Sequence, residues 1–306
     1  MGTPDFAVPS LERLAGSGHD LRAVVTRPDR PAGRGQRLTP PPVKVAAQRL
    51  GLPVLQPDTL RDTDFLNRLR ALETDLFAVV AFLILPRTVL TIPKWGSVNV
   101  HPSLLPKYRG AAPIQWAVIR GEQETGVSIF RLNPRVDAGD LLVQRRVLIG
   151  PDETYGELYE RLKILGAETL VQAVDALAGG DATPVPQADE GATRAPKLEK
   201  EDARIDWTQD AERVRNLIRG TNPMPGAFTE LRGRTLKLHR AKMAEGSGAP
   251  GEVTAADPKS GLVVAAGTGA LRLLEVQPSG KRKMDGAAFV RGHQVAVGER
   301  LGSRVR

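Results

Sequence analysis

Three apolar runs in the first hundred residues do not alternate: residues 21–26 (LRAVVT), 76–82 (LFAVVAF) and 97–100 (SVNV). A strand with one wet face alternates polar and apolar side chains. A continuous run belongs to a strand covered on both faces, as in a parallel sheet. Residues 52–56 (LPVLQ) read as a fourth, shorter strand. Between these runs the period changes. Residues 43–51 show helical spacing and a Gly stop, and residues 63–72 read as a helix capped by Thr63. The βαβ rhythm predicts a doubly wound, mostly parallel α/β sheet of Rossmann-like form. Two more strands are expected at 125–132 and 140–149, then a long amphipathic helix over 154–180 ending in Gly-Gly.

A length of 306 residues favours two domains. The expected division is a catalytic α/β domain over 1–180, a linker over 181–203 containing Pro, Gly and acidic residues, and a second domain over 204–306. That last part begins with a helix at 210–220. Short strands follow at 227–233, 235–242, 251–256, 261–267 and 270–278, a spacing that predicts a small OB-like β-barrel.

Composition narrows the chemistry. With 41% hydrophobic and 25% charged residues the chain reads as a soluble globular protein. No apolar run approaches the roughly 18 residues of a membrane span, so no membrane partner is expected. The start lacks a secretory pattern, and Phe6 stands where a myristoylation motif needs Ser or Thr. A cytoplasmic location is the expectation. The absence of Cys excludes disulfides, thiolate metal sites and a Cys nucleophile. His19, His101, His239 and His293 are scattered without metal-ligand spacing, so no metal is expected. Residues 204–306 hold 18 Lys and Arg against 10 Asp and Glu, while residues 1–203 hold 25 of each; the formal net charge of +8 therefore sits in the C-terminal third. Nucleic acid and a solvated basic face weigh evenly on charge alone.

The stretch 97–115 (SVNVHPSLLPKYRGAAPIQ) is the strongest chemical signal. Ligands of open α/β sheets bind beyond the carboxyl ends of strands. Asn99 and His101 stand at such an end, and a period of two puts them on one side. An amide and an imidazole there can stabilise a developing oxyanion and move a proton. For such a triplet alone, a His satisfied by local hydrogen bonds is the commoner outcome. Asp137, in the turn NPRVDAGDLL, adds a carboxylate able to orient His101, and Asp140 is a weaker candidate in the same turn. A solvated turn Asp is the bland alternative.

These segments resemble the folate-dependent formyltransferase family, in its methionyl-tRNA branch, over residues 2–306. The resemblance is carried by GTPDFAVPSLERL, TRPDRPAGRGQRLTPPPVK, LILP, NVHPSLLPKYRGAAPIQ, ETGVSIFRL, VDAGDLL, RIDW and QPSGKRKM. It implies transfer of a formyl group from 10-formyltetrahydrofolate to the α-amine of methionyl initiator tRNA by a monomer, with Asn99, His101 and Asp137 as the catalytic trio. It implies a folate pocket between Ser103, Leu104, Leu105 and Pro106 on one side and Phe82, Leu83, Ile84 and Leu85 on the other. The first of these is a Pro-stiffened loop, suited to present backbone groups and apolar surface to a flat ring. The long loop with Arg27, Arg30, Arg34, Arg37 and Lys44 would reach the tRNA acceptor stem, with Arg34 as its key residue. Arg suits phosphate contacts and stacking on bases, and a solvated loop is the alternative. Arg232, Arg234, Lys237 and Arg240, with Lys281, Arg282 and Lys283, would add phosphate contacts from the second domain.

Three features depart from the family. Its chains open with an apolar strand directly before GTPDF, where this chain has only Met1. The expectation is a sheet lacking its first strand and a true start upstream, or a truncated chain, decided by the intact mass of the native protein. The stretch VVAFLILP is one residue shorter than usual, without the customary Gly, and Met224 stands where the family often has Trp. Two rivals remain open: a formyltransferase acting on an amino-sugar nucleotide, and a catalytically impaired tRNA-binding homologue.

Overall fold

The computed structural model describes residues 1–33 and 35–302. The chain divides into two compact units. The first contains Met1–Pro113, Glu124–Val147 and Tyr159–Ala195; the second contains Ile114–Gln123, Leu148–Leu158 and Pro196–Arg306.

In the first unit, α1 (Val8–Ala15) precedes β1 (Val24–Val25), and a hairpin of β2 (Arg30–Ala32) and β3 (Arg37–Thr39) follows. Then come α2 (Pro42–Arg49), β4 (Val54–Leu55), α3 (Thr63–Ala71), β5 (Phe77–Val80), α4 (Arg87–Leu90) and β6 (Ser97–His101). The remaining elements of this unit are β7 (Glu124–Arg131), β8 (Leu141–Leu148) and most of α6 (Tyr155–Gly179), while α5 (Pro113–Ile119) falls almost wholly in the second unit. The helix α3 is capped by Asp62, whose carboxylate accepts from Phe65 N, rather than by Thr63. An ionised side chain at this position satisfies an orphan N–H and also meets the positive end of the helix.

Apart from the β2-β3 hairpin, the strands of this unit form two sheets, β1-β4 and β5-β6-β7-β8. β1 pairs with β4 and β5 with β6 in parallel, but β6 and β7 run antiparallel. The sheet is therefore mixed. β7 has six consecutive buried residues from Thr125 to Phe130. Such a run reports coverage on both faces and says nothing of strand direction. Phe65, Leu69, Phe77, Val79 and Val89 share one core cluster. At Gly166 of α6, an added Cβ would lie 2.9 Å from Val100 Cγ1, so the helix rests directly on β6.

Met1 and Gly2 bridge the two sheets. Gly2 N donates to Val25 O (3.0 Å), and Val80 N donates to Met1 O (2.9 Å). The Met1 amine donates to Ala78 O (2.6 Å). Beside this bridge lies a cavity of about 450 Å³, walled in part by Leu14, Val24, Val25, Leu69 and Phe77.

The second unit is β-rich. It holds α7 (Ala211–Gly220), β9 (Ala227–Leu231), β10 (Arg234–Ala244), β11 (Val253–Asp257), β12 (Gly261–Ala265), β13 (Ala270–Pro278), β14 (Met284–Asp285) and α8 (Gly286–His293). The strand order is β11-β12-β13-β10-β9, with β14 on β13. Among the described residues β11 and β9 are not paired directly; residues 298–302 run between them, with Gly298 N donating to Val253 O (2.8 Å), Leu301 N to Gly251 O (2.7 Å) and Gly302 N to Glu230 O (2.8 Å). Trp207, Ile218, Leu238, Leu262, Leu271 and Phe289 share its core. Both helices carry an aspartate cap: Asp210 accepts from Arg213 N and Asp285 from Ala288 N.

Candidate active site

The first unit gathers Asn99, His101 and Asp137. β6 supplies the first two, and its register sets Asn99 opposite Phe130 and His101 opposite Ser128 on β7. Asp137 comes from the turn before β8 and adopts a left-handed φ of 48°. Gly139 allows that turn to fold back: an added Cβ would lie 1.7 Å from Arg131 O.

His101 is 4% exposed. Its Nε2 lies 2.8 Å from Tyr108 O. A carbonyl can only accept, so Nε2 carries the proton. In the neutral ring Nδ1 then presents a lone pair, 3.7 Å from Asp137 Oδ2. A proton reaching Nδ1 would place a cation beside that carboxylate. The same oxygen is fixed from the backbone, because Gly110 N donates to Oδ2 (2.9 Å). The imidazole is thus held by one nitrogen, and the other faces the carboxylate.

Asn99 is half-buried, and no described residue hydrogen-bonds its amide. It shares the wall of a cavity of about 100 Å³ with Asp137. Phe82, Leu83, Ile84 and Leu85 line the same cavity, and Ile84 is 79% exposed. His101 meets the cavity through Asp137. Unpaired amide donors beside an apolar wall and a carboxylate suit a carbonyl compound with a flat apolar body. Ala81, just before this wall, has a left-handed φ of 47°, a conformation that an L-residue adopts only under strain.

Ser103, Leu104, Leu105 and Pro106 form the loop after β6. Ser103 and Leu105 are buried, and Leu104 and Pro106 half-buried. Ser128 is the hub beneath them. Its Oγ donates to Ser103 O (2.6 Å) and accepts from Leu105 N (3.1 Å) and Gln144 Nε2 (2.8 Å). Gln144 Nε2 also reaches Leu105 O (2.9 Å). Neither Ser128 nor Gln144 was singled out from the sequence. Ser128 could have been found, as a polar residue inside an otherwise buried apolar run.

The basic candidates divide by partner. Arg34 lies outside the described residues. Arg30 and Arg37 are exposed on the β2–β3 hairpin, and Arg27 is half-buried at its base. Lys44 is engaged within the fold: its Nζ lies 2.8 Å from both oxygens of Asp29. Gln56 and Lys44 hold the Asp29 carboxyl below its ordinary range by hydrogen bonding. In the second unit Arg232 pairs with Glu299 at 2.5 Å and Arg240 with Glu157 at 2.5 Å. Lys237 donates to Pro225 O and Lys283 lies 3.5 Å from Glu275. Arg234, Lys281 and Arg282 are exposed without a carboxylate partner among the described residues. Asp140 is exposed, and its carbonyl accepts from Arg131 N. Among the described residues no group of three or more His, Cys, Asp or Glu could hold a metal ion. None of the described helices is long and apolar enough to cross a membrane.

An α/β sheet in which β6 ends in an amide and an imidazole, with a carboxylate facing the imidazole, can polarise a carbonyl group and hold a proton. Residues 1–174 match the formyl transferase family and residues 197–294 its C-terminal domain. The chain is 48% identical over 303 residues to the methionyl-tRNA formyltransferase of Geobacter metallireducens, covering 99% of this chain and 97% of that one. It is also 48% identical to the methionyl-tRNA formyltransferase of Moorella thermoacetica, covering 99% and 98%. The chain belongs to the formyl transferase family. Solved structures show the same fold. HypX from Aquifex aeolicus in complex with tetrahydrofolic acid superposes with a TM-score of 0.60 at 22% identity, over 83% of this chain. This chain spans 45% of that HypX chain. The sugar 3N-formyl transferase WlaRD gives a TM-score of 0.66 at 15% identity, over 92% of this chain and 97% of that one.

Proposed function

We propose that this chain transfers the formyl group of 10-formyltetrahydrofolate to the α-amine of methionine on initiator tRNA. The observation that carries the reading is the unpartnered amide of Asn99, on a cavity wall shared with Asp137, which faces buried His101. Near-full-length identity to methionyl-tRNA formyltransferases supports the tRNA substrate over a sugar nucleotide. The apolar wall from Phe82 to Leu85 would hold the folate ring, with the backbone of Ser103–Pro106 opposite.

In the reaction the amine nitrogen bonds the formyl carbon and the bond from that carbon to the folate nitrogen breaks. Asn99 donates to the formyl oxygen as negative charge develops there. The amine must lose one proton, and the leaving nitrogen must gain one. Asp137 and His101 Nδ1 supply a place to hold that proton between the two events. Tyr108 O keeps the imidazole oriented throughout. The exposed arginines of the β2–β3 hairpin and the basic side chains of the second unit would meet tRNA phosphates. The chain would act as a monomer in the cytoplasm.

The test offers the purified protein labelled 10-formyltetrahydrofolate with either methionyl initiator tRNA or a nucleotide-linked amino sugar. Label recovered in formyl-methionyl-tRNA is the expected result. Label entering only the sugar, or neither acceptor, overturns the reading.

A further inference from the structure

Residues 185–195 were expected to belong to a linker, yet they are stitched to the two loops that shape the site. Leu141 and Val185 exchange two backbone hydrogen bonds of 2.8 Å. Arg109 N donates to Thr193 O (2.9 Å) and Ala195 N to Arg109 O (2.8 Å). Thr193 Oγ1 accepts from Tyr108 N (2.9 Å). The segment is therefore paired at both ends.

Gln187 sits between those ends, and its amide grips both loops. Its Nε2 donates to Gly139 O (2.7 Å) and Asp137 O (3.1 Å), on the turn that aims the Asp137 carboxylate. Its Oε1 accepts from Arg109 Nη2 (2.9 Å) and Nε (3.3 Å). Arg109 directly follows Tyr108, whose carbonyl holds His101 Nε2. One half-buried side chain thus ties the turn carrying Asp137 to the loop orienting His101. All four atoms of this connection are polar groups with fixed roles, so the amide cannot be reversed without losing two acceptors and gaining a repulsion.

We propose that Gln187 is a positioning residue for the formyl transfer: it sets the separation of Asp137 and His101 without touching substrate. The proposal rests on the function assigned above. A misplacement of the order of 1 Å near reacting groups costs up to about a hundredfold in rate, and a loosened turn should cost about a tenth of that loss, roughly tenfold.

The experiment compares Gln187→Ala and Gln187→Glu in the full chain, each with and without Asp137→Asn. Gln187→Glu keeps the size and the Arg109 contact and replaces the donors by a carboxylate oxygen facing the Asp137 and Gly139 carbonyls, so the two variants perturb the same link by different means. The expected result is a kcat lower by about tenfold with both KM values within about twofold. In the Asp137→Asn background the same change should cost less than about twofold, because the residue acts through Asp137. Imidazole resonances of His101 should move in both variants while those of His19, His239 and His293 stay. An unchanged kcat, a full loss persisting without the Asp137 carboxylate, or unmoved His101 resonances overturns the proposal. If the unmodified protein transfers no formyl group, the functional reading falls, while the His101 resonances still decide whether Gln187 sets the pair.

Discussion

The two units place polar groups by opposite means. At the end of β6, buried His101 is held by Tyr108 O, and half-buried Asp137 beside it is held by Gly110 N. In the second unit Arg234, Lys281 and Arg282 are exposed and unpaired among the described residues. The difference follows from the work. A proton moves over fractions of an ångström, so its carriers must be fixed before substrate arrives. A phosphate backbone is met through a long-range field, for which position matters little and number matters more. Losing one fixed group should therefore be severe, and losing one cation slight.

The largest effect should come from the groups around the end of β6. Asn99→Ala removes the donor to the developing oxyanion and should lower kcat by about 10²–10³. Asp137→Asn should cost about 10²–10⁴ by removing the proton's resting place. Single-turnover formylation of bound methionyl-tRNA measures both. A loss below tenfold in either variant would erase the contrast between the units.

A smaller effect is expected on the basic face. Replacing Lys281, Arg282 and Lys283 together by Ala should weaken tRNA binding about tenfold at moderate salt. The slope of log K against log salt should fall by about two to three. Single-turnover rates at saturating tRNA should remain near those of the unmodified chain. Filter binding at several salt concentrations gives the slope. An unchanged slope would mean that these cations face solvent alone.

The same contrast governs what the sequence made legible. Apolar runs exposed β1, β5, β6 and β7 because burial writes itself into consecutive residues. The residues Asn99, His101 and Asp137 were legible through a strand end and a turn, and their proximity became visible only in the fold. The helix α1 was readable in retrospect from Val8, Leu11 and Leu14 with Gly16 after it. The direction of β7 was not, since a strand buried on both faces has the same composition either way. Gln187 was hidden for a different reason. Its partners lie 48 to 78 residues away, and no local pattern records a side chain that serves distant carbonyls. The Lys44–Asp29 pair was hidden likewise: in a loop rich in Arg, a Lys reads as one more free cation.

The smallest prediction concerns a buried group in the basic unit, where the fixed and the exposed meet. His239 is 2% exposed on β10. Its Nε2 lies 3.1 Å from Gln277 Oε1, and Gln277 Nε2 donates to Lys281 O (2.9 Å), so the histidine steadies the basic turn. Nδ1 is buried without a partner. Burial pushes the His239 pKa down; the Gln277 contact opposes this, while the charges of Lys283 and Lys237 add to it and Glu275 opposes it. The unfolded chain therefore takes up a proton more readily than the folded one. The contribution to stability is full above the ordinary histidine value of about 6.5 and fades as pH falls below it. Replacing His239 by Gln should lower Tm at pH 8 by a few degrees and flatten its fall between pH 7 and pH 5. Thermal melts across that range measure the slope. An equally steep fall in the variant would place the acid sensitivity on another group and leave His239 as packing alone.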